Sequence, residues 1–136
     1  MKYIYVFCFL FSTVLLHAQD TTANSTVIND TSKQVRIAPQ FPGGTTAWNK
    51  YIYARIHSDI VAQNNAPEGT YVVIVSYLID TTGKVTEVKI EQDPGYGTAN
   101  DVERAFRKCA LWIPATIDGR KVKYRQKQAF TYAVSY

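Results

Sequence analysis

The side chains that could do covalent or metal chemistry are few in this chain, and their spacing does not suit it. Beyond the first eighteen residues there is one histidine, His57, and one cysteine, Cys109. A hydrolase needs a nucleophile with a base in reach, and no Ser or Cys stands in a recognisable elbow motif. One His and one Cys on separate helical stretches, with no second ligand at a useful spacing, do not make a zinc site. Asp80, Glu87, Glu91 and Asp93 gather around one turn and could act as paired carboxylates. The turn, however, needs Asp80 for its own backbone bonds, and strand alternation puts Glu87 and Glu91 in water. Gly95-Tyr96-Gly97 precedes a helix pattern, yet no lysine follows where a phosphate loop needs one, and the strand before it belongs to an antiparallel hairpin. The reading is of a protein with no catalytic residues, no metal and no cofactor.

What is left for function is surface. Arg120, Lys121, Lys123, Arg125 and Lys127 form a basic stripe in a chain whose formal net charge is +4. The plainer reading is a solvated strand face whose cations discourage unwanted edge pairing. The alternative is a contact with acidic cell-wall or lipid groups, which would make this a structural envelope module. Trp48 and Trp112 could stack on a ligand, but each falls where a core aromatic is expected.

The elements that must position these residues begin after a leader. Lys2 is followed by an apolar run from Tyr3 to Leu16 and then His17, Ala18 and Gln19, the layout of a secretory signal over residues 1–18. About fourteen residues at 1.5 Å each span roughly 21 Å, short of the roughly 30 Å hydrocarbon core, so cleavage is favoured over anchoring. The location expected is the periplasm, with an inner-membrane anchor, and membrane contact, only if the segment is kept. An exported protein rarely meets nucleic acid. Removing the signal leaves Cys109 without a disulfide partner, so stability has to come from packing. Residues 19–38 are mostly Thr, Ser, Asn and Asp and read as a flexible polar tail.

One domain is expected over 39–136. Phe41-Pro42-Gly43-Gly44 makes a bend, after which Trp48, Tyr51, Ile52, Ile56 and Ile60 recur at helical steps and predict a helix over 46–57. Ser58 and Asp59 can cap a second short turn before a loop at Asn64–Gly69. Tyr71–Ile79 is a β-branched run, Asp80-Thr81-Thr82-Gly83 a tight turn, and Val85–Gln92 an alternating partner strand. Asn100 with Glu103 predicts a capping box and a second helix over 101–111, ended by Pro114. The last run places Val122, Tyr124, Phe130, Tyr132, Val134 and Tyr136 on one parity and predicts one long third strand. Helix, strand, strand, helix, strand argues for an α+β two-layer fold, an antiparallel three-stranded sheet with two helices on one face.

Together Phe41-Pro42-Gly43-Gly44, Glu68-Gly69, Asp80 with Gly83-Lys84-Val85, and Trp112-x-Pro114-Ala115 with Gly119 and Val122 form an ordered set of landmarks. In order and spacing, from Pro39 to Tyr136, this set resembles the TonB C-terminal domain in its Bacteroidetes-type form. Phe41, Pro42, Gly43, Gly44, Gly69, Gly83, Trp112 and Pro114 are then structural positions. The resemblance implies a partner: a periplasmic segment of an outer-membrane TonB-dependent receptor or similar envelope protein, engaged by strand addition. An alternating terminal strand can supply such an edge, here Val122, Lys123, Tyr124, Arg125, Phe130, Tyr132 and Val134. Two exposed edges also leave pairing into a homodimer open. The family's Tyr-Pro pair after the first helix has no counterpart at His57-Ser58. With a short tail in place of an anchor and a long proline-rich spacer, the expectation is an adaptor, competitor or regulator rather than an energy transducer.

Overall fold

A computed structural model describes Cys8, Phe9 and residues 34–135. The predicted signal segment, those two residues apart, and the tail as far as residue 33 lie outside the described residues. In chain order the elements are β1 (Cys8–Phe9), β2 (Arg36–Ile37), α1 (Gly44–Tyr53), α2 (Ile60–Gln63), β3 (Gly69–Ile79), β4 (Val85–Gln92), α3 (Thr98–Phe106), β5 (Ala115–Ile117), β6 (Arg120–Val122) and β7 (Tyr124–Val134). The main sheet runs β1-β7-β3-β4, antiparallel throughout, and a small sheet runs β2-β5-β6. The helices pack on one face of the main sheet, the two-layer α+β arrangement that the element order predicts.

Strand alternation sorts the two faces. Val73, Val75, Tyr77 and Ile79 of β3 and Gln128, Phe130, Tyr132 and Val134 of β7 are buried beneath the helices. Their odd-even partners Val72, Ile74 and Leu78, with Ala129, Thr131 and Ala133, are only partly covered on the opposite face. Trp48 and Ile52 of α1, Val61 of α2, and Val102, Ala105 and Phe106 of α3 complete the core. At its centre Trp48 lies 4.8 Å from Trp112, 5.3 Å from Phe41 and 5.7 Å from Phe106, ring centre to ring centre. Both tryptophans are thus core residues, as their sequence setting implies.

Trp112 is held there by the β3–β4 turn. Asp80 Oδ1 accepts from the backbone N–H groups of Thr82 and Lys84, which closes the turn the sequence predicts. The bond from the Thr82 hydroxyl also holds the Asp80 carboxyl below its usual range. Gly83 then takes φ +88°, and its carbonyl accepts from Trp112 N–H at 2.8 Å. A Cβ on Gly83 would lie 1.9 Å from the Trp112 carbonyl oxygen, so only glycine allows this approach.

Several boundaries differ from the sequence reading, each for a local reason. The first helix stops at Tyr53, and Ile56 reaches the core from the following turn, because His57 is tied to α3 by bonds described below. The predicted second turn forms as α2, with Asp59 at its N-cap. No Asn100 capping box forms: Gly97, at φ +79°, is the N-cap of α3, and Thr98 Oγ1 bonds back to the Gly95 carbonyl. That helix ends at Phe106, since Arg107 is already extended and Lys108 adopts φ +57°. Arg36 and Ile37, read as the end of the tail, pair instead with Ile117 and Thr116. The long last strand is interrupted at Lys123, where the chain leaves the small sheet and enters the main one.

Candidate partner-binding edge

β7 pairs with β3 along its whole length, from Gly69↔Val134 to Ile79↔Tyr124, without a register shift. Among the described residues its other edge carries only β1, antiparallel, with Cys8↔Phe130 and Phe9↔Ala129. Backbone donors and acceptors along such an edge are what an added strand needs. Of the residues expected to form the edge, Tyr124, Arg125, Phe130, Tyr132 and Val134 lie in β7. Phe130, Tyr132 and Val134 point into the core, so what they can offer a partner is backbone rather than side chain. Val122 belongs to β6 and Lys123 to the link between the two sheets, so neither extends this edge.

A polar cluster anchors the strand from beneath. Asp101 of α3 is 3% exposed and accepts from His57 N–H at 2.8 Å, from His57 Nδ1 at 2.8 Å, from the Arg104 guanidinium and from the Tyr132 hydroxyl at 3.2 Å. One carboxylate thus ties the α1–α2 connection, α3 and β7 together, and each buried lone pair has a donor. Burial pushes the Tyr132 phenol far above its ordinary range, and the Asp101 charge beside it adds to the push. The sequence reading ends the first helix at His57 and gives Asp101 no role. The one available signal was an Asp in the first turn of an amphipathic helix, a position usually solvated. Farther along β7, Gln128 Oε1 accepts from Trp48 Nε1 at 3.1 Å, which ties the strand to α1.

The basic stripe does not form one surface. Arg125 and Lys127 rise from the open face of β7, and each reaches across β3 to β4, Arg125 to Glu87 and Lys127 to Glu91. These pairs roof Ser76, which is buried although it faces outward. The Lys127 ammonium, and after it the Ser76 hydroxyl, hold the Glu91 carboxyl below its usual range. Arg120, Lys121 and Lys123 stand exposed on and beside β6, away from that pair of bridges.

The structural landmarks converge around Trp112. Phe41 packs tilted against Trp48 and edge-on against Trp112, and Gly43 and Gly44 take φ of +85° and +77° as the chain turns into α1. Burial raises the Cys109 thiol, while the indole of Trp112, which has no hydrogen bond of ordinary geometry, opposes that rise from close by. Among the described residues no group of three or more His, Cys, Asp or Glu side chains could hold a metal ion. Nor is any helix there long and apolar enough to cross a membrane.

Comparison with curated proteins and with solved structures finds no significant match. A family model does match: the Gram-negative bacterial TonB protein C-terminal domain, over residues 61–134. That stretch runs from within α2 through the end of β7 and includes Asp101, Arg104 and Tyr132 and the Gly83–Trp112 contact, but not His57. By this match across more than half of its length, the chain belongs to the TonB C-terminal family.

Proposed function

We propose that this protein is a periplasmic module that holds an extended segment of an outer-membrane TonB-dependent transporter as an added strand on the outer edge of β7. It would serve TonB-dependent transport or its regulation. Domains of the family are binding modules without catalytic function, and the family implies TonB-dependent receptors in general as partners. The observation that carries the finer reading is the antiparallel pairing at Ala129 and Phe130, where this edge already accepts a strand. The uninterrupted β3–β7 register behind it keeps the edge straight. Export rests on the charged and apolar layout of the first eighteen residues. The alternative of binding acidic groups through Lys121, Lys123, Arg125 and Lys127 is weakened, because two of those cations already have carboxylate partners.

In-cell photo-crosslinking tests the reading. With the crosslinker at Thr131 on β7, the expected product joins the protein to an outer-membrane transporter. With it at Lys89 on β4, no such product forms. Transporter crosslinks from Lys89 alone would overturn the assignment of the edge, and self-crosslinks alone from Thr131 would make it a homodimer interface instead.

A further inference from the structure

Between the first turn of α1 and β7 lies a cavity of about 120 Å³, walled chiefly by Pro39, Phe41, Thr45, Trp48, Trp112 and Gln126. Among the described residues no charged side chain lines it. Gln126 Oε1 is buried there without a hydrogen-bond partner. An unpaired buried acceptor forfeits its hydration without recompense, and native structures seldom leave one unfilled. The contrast with Gln128 is direct: two residues along the same strand and on the same face, its Oε1 is met by Trp48.

Among the described residues only Ala129 and Phe130 of β7 pair on its outer side, so the strand is an edge at Gln126, whose side chain points to the helix side of the sheet. In an antiparallel pair, residues directly opposite each other share a face, with Cβ atoms about 4.5–5.5 Å apart. A strand added in the register of Cys8↔Phe130 and Phe9↔Ala129 therefore sets one residue opposite Gln126, facing the cavity. We propose that this cavity receives that residue's side chain and selects a neutral one that joins an apolar body to a hydroxyl or amide donor, as in tyrosine, threonine or glutamine. This inference rests on the strand-addition reading. The three aromatic rings and Pro39 match the apolar body, and the lack of any charge in the lining rejects Lys, Arg, Asp and Glu. The Gln126 amide can present oxygen or NH₂ by rotation, and a hydroxyl or amide partner suits either setting. Phenylalanine or leucine would fill the space and leave Gln126 unpaired.

Two arms test it. In the first, ¹⁵N-labelled protein is titrated with p-cresol and with toluene. The expected result is that p-cresol moves the Trp112 indole and Gln126 side-chain amide signals and binds about fivefold more tightly than toluene, the preference vanishing in Gln126→Leu. Equal affinity means that Gln126 does not read the hydroxyl, and no movement at these two residues means that neither compound enters the cavity; either result overturns the proposal. In the second, an Asn-Gly turn and a strand are appended after Tyr136 so that the strand folds back on β7, with Tyr, Phe or Leu opposite Gln126. Amide exchange in the appended strand should be slowest with Tyr. If the strand is protected equally with all three, docking stands and the selective pocket falls. If it is never protected, strand addition fails, and a p-cresol preference would then mark a small-molecule site unrelated to docking.

Discussion

The two long strands that flank β3 in the main sheet, β7 and β4, are built to opposite ends. β7 is eleven residues long and keeps one register against β3 from end to end. β4 is eight residues long, and its register against β3 shifts twice, between Ile74 and Val75 and between Ser76 and Leu78. Near the second shift Glu87 takes φ +48°, and charged Glu87, Lys89 and Glu91 stand exposed along the strand. Irregular, charged edges are how sheets avoid unwanted pairing, whereas a straight edge invites it. The sheet thus has one regular side and one irregular, charged side. Gln128, Phe130, Tyr132 and Val134 of β7 are committed to the core, so an added strand, as proposed above, would be held by backbone and by the few pockets beside it.

The comparison can be broken most severely through the core face of β7. Phe130→Ala removes a fully buried ring and should lower stability by about 3–5 kcal/mol, while Lys89→Ala on β4 should stay within about 0.5 kcal/mol, as read by urea unfolding. Equal losses would mean that β4 is as deeply integrated as β7. Next comes the anchor beneath the edge: Asp101→Ala strands the Tyr132 hydroxyl and the His57 N–H and should cost about 1–3 kcal/mol. Hydrogen exchange would then rise in β7 and in the α1–α2 connection together, and not in β4.

A smaller effect follows from the Tyr132 phenol. Its folded-state pKa is raised above the ordinary phenol value of 10.0, so its contribution is fully present below pH 10 and is lost as the pH climbs. The thermal midpoint should therefore fall steeply in strong alkali, and Tyr132→Phe should flatten that fall while giving up about 1 kcal/mol at neutral pH. The smallest change is expected on the open face. Arg125→Ala breaks a solvent-exposed pair and should alter stability by less than about 1 kcal/mol, and less still in high salt. Glu91, whose carboxyl is lowered, acts in the opposite sense to Tyr132: its contribution is present above its ordinary pKa of 4.5 and fades as the pH falls.

Much of this arrangement was legible in the residues. The β-branched run at Tyr71–Ile79, the Asp80–Gly83 turn and the alternation through Phe130, Tyr132 and Val134 are local patterns, and local patterns mark strands and turns. Helix ends were harder. α1 stops early because His57 is claimed by Asp101, which lies 44 positions away. α3 starts at a left-handed glycine rather than at Asn100, because Thr98 closes its own turn. The continuous parity from Val122 to Val134 concealed the change of sheet at Lys123, since alternation reports which face a residue takes and not which strand it pairs with.

By itself the sequence determined the α+β class, the hairpin, the residues that must be buried, the lack of catalytic spacing and the family landmarks. All of these follow from local propensity, periodicity and composition. Only the tertiary structure decided which edge is left straight, that the basic stripe is split by Glu87 and Glu91, that Asp101 is a buried acceptor, and that Gln126 is left unpaired beside a cavity. Each of these depends on side chains brought together across three strands or from helix to sheet, and such meetings are set by packing and pairing partners that no local window contains.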